Sequence, residues 1–164
     1  MTTKEKLLAL LEDSKGTFFS GEEIARTLQV SRAAVWKAVN ALREDGYTID
    51  AATNKGYRLS PDSDILSPQG IRRFLKPEYR DLDLTVLPTA PSTNALVREK
   101  ANQGRPEGCI IIACEQTAGR GRYGRQFFSP VDSGVYLSLL LRPTAYSPQQ
   151  ATCLTAAAAA AMCQ

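Results

Sequence analysis

The chain has 164 residues, room for one or two domains, and its 43% hydrophobic and 23% charged content is that of a globular protein able to bury a core without disulfide staples. A net charge of +3 does not by itself announce a nucleic-acid partner, so any residues that meet DNA must be concentrated locally. The complete absence of histidine excludes Ser-His-Asp and Cys-His catalysis and leaves a zinc ion only cysteines and carboxylates, so no protein metal site is expected.

The first sixty residues predict three helices and a hairpin. Thr2 with Glu5 fits a capping box, after which Leu7, Leu8 and Leu11 mark one helix face. Ser20 with Glu23 repeats the signal ahead of Ile24, Ala25 and Leu28. Gln29 and Val30 break the pattern, and Ser31 caps a third helix whose core face is Val35, Ala38, Val39 and Leu42. Past Gly46 the apolar residues alternate, Tyr47, Ile49 and Ala51, then Tyr57 and Leu59, around a turn at residues 53–56.

Helix, tight turn, capped helix and hairpin are the plan of a winged helix-turn-helix, in which the second helix of the pair enters the major groove. The outer face of that helix offers Arg32, Ala33, Trp36, Lys37 and Asn40 beside the capping Ser31, and the wing adds Asn54, Lys55 and Arg58. Trp36 either lies over a sugar or methyl group or covers the edge of the core. Nine Lys/Arg stand against eight Asp/Glu in residues 1–60, so a single head should bind DNA weakly and gain affinity by pairing. A trihelical interaction module with a solvated basic face is the plainer alternative.

Residues 60–64 read as a polar linker, and a new helix starts at Ser67 and Pro68. The expected division is a head over residues 1–60, a linker over 61–67 and a second domain over 68–164. Within the latter, residues 82–87 alternate like a strand, Ser92 or Thr93 caps a helix ended by Gly104, and residues 109–114 form a buried strand. Residues 135–141 predict another strand, and Ser147 with Pro148 opens a last helix. That helix shows no stop signal before Gln164, which points to a domain incomplete at its C-terminus. Cys109, Cys114, Cys153 and Cys163 lack CxxC spacing and are expected to be reduced, buried and apolar. A polar N-terminus and no apolar run near ~20 residues make the cytoplasm the expected compartment, with no membrane partner.

Residues 115–125 carry the most information. Three glycines let the backbone approach a ligand and swing, and three arginines put planar, permanently charged donors on the same loop, suited to carboxylate or phosphate. No Gly-Lys-Ser/Thr ending or following helix is present, so this is neither a P-loop nor a dinucleotide fingerprint. A disordered Arg-Gly segment that touches nucleic acid is the competing reading, and a single short copy between two strand-like runs opposes it.

The run Gly119, Arg120, Gly121, Arg122, Tyr123, Gly124, Arg125 resembles the biotin-binding loop of the biotin protein ligases, and Ser92-Thr93-Asn94 is similar to their other early signature. Ser31 to Lys37 with Lys55-Gly56-Tyr57 resembles the winged head of the bifunctional members, the biotin operon repressors. The resemblance implies an α+β chain: a winged helix-turn-helix followed by the first part of a class II synthetase-like catalytic domain. It implies biotin and ATP as substrates, Mg2+ with the ATP, a biotin carboxyl carrier protein as acceptor, operator DNA as partner, and a homodimer. It assigns Ser92, Thr93, Asn94 and Gln116 to the biotin head, Arg120, Gly121 and Arg122 to biotin and the adenylate, and the charge-stabilising role to Arg120 and Arg122. Phe127 or Phe128 forms an apolar wall or belongs to the core. The Lys-Trp-Pro-Asn segment of that family does not occur here, where the sole tryptophan is Trp36. A biotin-sensing regulator without ligase chemistry is therefore the second expectation.

Overall fold

The computed structural model describes residues 1–131, 133–144, 147, 150 and 153–163. The chain divides into two units, Met1–Asp81 and Leu82–Gln164.

In the first unit, α1 (Thr3–Asp13), α2 (Gly21–Leu28) and α3 (Arg32–Glu44) precede a hairpin of β1 (Ile49–Ala52) and β2 (Gly56–Leu59). Each helix start is the expected one. Thr2 and Glu5 close a full capping box, whereas Ser20 and Ser31 each accept one amide hydrogen, from Glu23 and Ala34. Gln29 ends α2 in a left-handed conformation that turns the chain into α3. The inward faces pack as one core: Leu7, Leu8 and Leu11 of α1, Ile24 and Ala25 of α2, Val35, Ala38, Val39 and Leu42 of α3, and Ile49 and Leu59 of the hairpin. Phe19 exchanges two backbone hydrogen bonds with Tyr57, adding an edge to the wing.

Residues 60–81, expected to be shared between a linker and the second domain, pack with the head. Ser60 donates its amide to the Thr48 carbonyl, and the Lys15 ammonium donates to the Ser63 carbonyl. A short helix, α4 (Pro68–Arg72), capped by Ser67, lies against α1. The physical reason is Glu12: its carboxylate is buried, 5% exposed, and takes a hydrogen bond from the Ser67 hydroxyl at 3.2 Å. Arg73 donates to the Glu12 carbonyl and sits 3.9 Å from its carboxylate. A buried carboxylate needs such partners, and Ser67 and Arg73 supply them.

In the second unit β3 (Leu84–Ala90), α5 (Thr93–Asn102) and β4 (Ile110–Gln116) form a parallel strand–helix–strand unit, and β5 (Tyr136–Leu139) pairs antiparallel with β4, which is thus central. β3 lies at 84–90 rather than at 82–87, and it runs through Pro88 because an edge strand tolerates a residue without an amide hydrogen. α5 packs on β4 and β5. α6 (Cys153–Ala161) closes the described chain. Ser147 and Gln150 exchange two hydrogen bonds in the manner of a capping box, while Pro148, expected to open that helix, lies outside the described residues. The cysteines divide: Cys109 is buried and Cys114 half-buried, but Cys153, at the start of an alanine-rich helix that shows no buried face, and Cys163, just past its end, are exposed, against expectation. Burial, with Asp83 nearby, pushes the Cys109 thiol above its ordinary pKa, so it stays protonated and unreactive.

Candidate functional site

Two segments distant in sequence meet at the C-terminal ends of β3 and β4. The parallel ladder continues past the strands: Thr117 donates its amide to the Ala90 carbonyl and Ala118 to that of Pro91, both within 3.0 Å. This sets the entrance of the Gly-Arg loop beside Ser92-Thr93-Asn94, at the start of α5. Ser92 and Thr93 are buried and Asn94 is exposed. Neither Ser92 nor Thr93 caps α5 as expected: Ser92 occupies the capping position without a side-chain bond. The cap comes instead from Gln116, whose Oε1 accepts the Thr93 amide at 2.9 Å and the Thr93 hydroxyl at 3.3 Å. The Ser138 hydroxyl of β5 meets that of Thr93 at 2.9 Å.

The loop itself is a tight hairpin. Phe127 donates its amide to the Gly119 carbonyl and Gly121 to that of Arg125, and Arg120 bridges Gln126. Gly119 is required by space, because a Cβ there would stand 2.6 Å from the Phe127 carbonyl oxygen. Tyr123 turns the tip in a left-handed conformation, φ 58°, which is strained for a bulky residue. A concavity of about 380 Å³ is lined by Ala118, Gly119, Arg120, Gly124, Arg125 and Gln126. The Arg120 side chain is exposed there, while that of Arg122 lies outside the described part of the molecule. Gly121 is half-buried in the hairpin. Of the two aromatics, Phe128 is 87% exposed and belongs to no core, whereas Phe127 packs edge-on against Tyr136 at 6.4 Å between ring centres. Ser129 was not foreseen. It is 2% exposed, accepts a hydrogen bond from Gln116 Nε2 at 3.2 Å, and carries no local sequence signature.

In the head, Arg32, Ala33, Trp36 and Lys37 project from the outer face of α3, with Trp36 57% exposed and Asn40 half-buried. Trp36 is thus too exposed to seal the edge of the core. It lines a groove of about 720 Å³ with Arg32 and Ala33 of α3, Glu22 of α2, and Thr53 and Asn54 of the wing. The hydroxyl of Ser31 is occupied in capping. Lys55 is exposed at the wing tip, but Arg58 is engaged inside the head: its Nε is 2.8 Å from Asp50, and its guanidinium lies 4.7 Å from the centre of the Phe18 ring. Among the described residues, no helix is long and apolar enough to cross a membrane.

Comparison with known proteins fits both regions. Residues 3–58 match an HTH domain, and residues 86–164 match the biotin/lipoate A/B protein ligase family. The chain is similar to the bifunctional ligase/repressor BirA of Bacillus subtilis (strain 168), 40% identical over 142 residues, which is 87% of this chain and 44% of that protein. It is similar also to the bifunctional ligase/repressor BirA of Escherichia coli (strain K12), 37% identical over 141 residues, 86% of this chain and 42% of the relative. The chain thus spans less than half the length of these curated relatives. It is an α+β chain, a helix-turn-helix head followed by a region similar to the biotin/lipoate A/B protein ligase family.

Proposed function

We propose that the second unit binds biotin and ATP, forms biotinyl-5′-adenylate, and passes the biotinyl group to a lysine of a biotin carboxyl carrier protein, while the head makes the chain a biotin-dependent repressor. The observation that carries the ligand site is the juxtaposition of Ser92-Thr93-Asn94 with residues 116–121 at the strand ends, held by the Gln116 bridge and the Ala118–Pro91 hydrogen bond. In this reaction the substrate carboxylate is itself the nucleophile: it attacks the α-phosphorus, and pyrophosphate leaves. The lysine amine then attacks the acyl carbon and AMP leaves. No activated side-chain nucleophile is needed, which suits a chain without histidine.

What the chain must supply is positive charge near the reacting phosphate and shelter of the mixed anhydride from water. Arg120 and Arg122 take the first role. The glycine-rich hairpin takes the second by closing over the ligand, with Ser92, Thr93, Asn94, Gln116 and Gly121 against biotin. Mg2+ enters with the ATP phosphates. In the head, Arg32, Ala33, Trp36, Lys37 and Asn40 face the major groove, with Ser31 at the helix start and Lys55 and Arg58 along the backbone. A homodimer in the cytoplasm, stabilised by the adenylate, brings two heads to one operator, which offsets the weak charge of each.

The test is mass spectrometry of adenylate formation and calorimetry of adenylate binding by this chain. Adenylate and pyrophosphate should appear with biotin, ATP and Mg2+. Arg120→Ala should weaken retention of a biotinyl-adenylate analogue about tenfold to a hundredfold, the loss of one charge-assisted contact, with the fold intact by circular dichroism. Unchanged affinity sinks the role of Arg120. Biotin binding without pyrophosphate release would instead make the chain a biotin-sensing regulator.

A further inference from the structure

We infer that Ser129 is a positioning residue: it fixes the orientation of the Gln116 amide, and through it couples the return end of the Gly-Arg hairpin to the first turn of α5. The inference deepens the proposed ligand site and rests on that reading for its ligand, though the coupling is measurable without one.

The directions of the hydrogen bonds are forced. The Thr93 backbone amide can only donate, so the atom of Gln116 that faces it at 2.9 Å must be the carbonyl oxygen. The amide nitrogen therefore faces Ser129, and the serine oxygen at 3.2 Å must accept. Its own hydrogen then goes to the Phe127 carbonyl, also at 3.2 Å. Phe127 in turn donates its amide to the Gly119 carbonyl at 2.9 Å, closing the neck of the hairpin. The Ser129 backbone takes part as well, since its carbonyl accepts the Gln116 amide at 3.0 Å. A single serine thus ties the Gln116 side chain to the neck of the loop that carries Arg120.

The consequence concerns what Gln116 can offer. Both lone pairs of its oxygen are taken by Thr93, and one of its two amide hydrogens by Ser129. Among the described residues nothing else takes its second N–H, so the ligand group at this position must be an acceptor. Without the Ser129 hydroxyl the amide loses its anchor, and with it the cap on α5 loosens.

Hydrogen exchange at the Thr93 amide, measured by NMR on the full chain, reads the coupling directly. Ser129→Ala should speed that exchange about fivefold, the loss of a neutral hydrogen bond, with amides of α3 unchanged as an internal control. Ser129→Thr, which keeps the hydroxyl, should restore protection. Should Ser129→Thr disturb the packing, Gln116→Ala provides the second variant: it removes both the acceptor for Thr93 and the donor to Ser129, so Thr93 should exchange fast and Ser129→Ala should add nothing on this background, whereas a further effect of about fivefold there would overturn the inference. Slow Thr93 exchange in Ser129→Ala, equal to wild type, overturns the inference. Failure of the wild type to bind biotin in calorimetry sinks the function proposed above and leaves the exchange result to decide this one.

Discussion

Gly56 shows how one residue can fix a whole element. It begins β2 with φ +93°, and a Cβ there would stand 2.0 Å from the Phe19 carbonyl oxygen. Backbone meets backbone, so no side-chain rotation relieves the clash. Gly56→Ala should destabilise the head by about 3 kcal/mol, combining left-handed strain with displacement of the Phe19–Tyr57 pair. Urea unfolding followed by the fluorescence of Trp36, the chain's sole tryptophan, measures it. Tyr47 makes a second prediction. Burial raises its pKa, the Ser67 hydroxyl opposes that shift, and the carboxylates of Glu12 and Asp45 reinforce it. A tyrosine whose folded pKa lies above its unfolded value of about 10 keeps its proton longer when folded. The unfolded state then binds fewer protons above pH ~10, so the stabilising contribution is complete below that pH and is lost as pH rises through the folded pKa. Urea midpoints at pH 8 and 10.5 should fall more steeply for wild type than for Tyr47→Phe; equal slopes would refute it.

The short helix α4 illustrates an element held by tertiary contact rather than by its own sequence. Five residues cannot sustain a helix alone, and Ser67 serves it twice, accepting the Gly70 amide at 2.9 Å and donating to Glu12. Ser67→Ala removes a cap, worth about 1 kcal/mol, and a partner of a buried carboxylate, worth about 1 kcal/mol or more. A loss of about 2 kcal/mol in urea unfolding and faster tryptic cleavage at Arg72 or Arg73 are the expected outcomes; wild-type resistance would show that α4 is held otherwise. Contrast α1, α2 and α3, whose caps and core faces stand in local spacing and lie in the structure where Ser20, Ser31 and the Val35–Leu42 series put them. The capped start at Ser67 was equally visible, but its docking was not, because Glu12 lies 55 residues away and nothing in its neighbours marks it as buried. The cap on α5 escaped for the same reason. Ser92 and Thr93 have the chemistry of caps, yet Gln116 reaches in from the adjacent strand and takes the position. The Gly-Arg loop could be seen as a ligand-bearing segment from composition alone. Its meeting with Ser92-Thr93-Asn94 depends on parallel pairing of β3 and β4, which residue patterns do not reveal.

The second unit presents an uneven distribution of apolar surface, and this has consequences for how chains behave together. Because Ser138 meets Thr93 on the side of β5 where α5 packs, Leu137 and Leu139 face the opposite side. Leu137 is 56% exposed, and Val135, Leu139 and Leu141 are exposed with it. Their register partners on β4, Ile112 opposite Leu137 and Ile110 opposite Leu139, are buried and half-buried, so the exposed apolar residues are those of β5 and its flanks. Four exposed apolar side chains on and beside one strand offer a contact surface for other chains, and a net charge of +3 gives little repulsion to oppose association. The chain should therefore bind a hydrophobic dye and show an apparent mass that rises with concentration in light scattering. Leu137→Lys with Leu139→Lys should abolish both without lowering helix content, since neither side chain is buried in the unit. The head, whose core is closed by eleven buried residues, should not contribute, so a head-surface change such as Trp36→Gln should leave the association untouched. Association that survives the paired lysines but vanishes with Trp36→Gln would move the contact from β5 to the recognition helix.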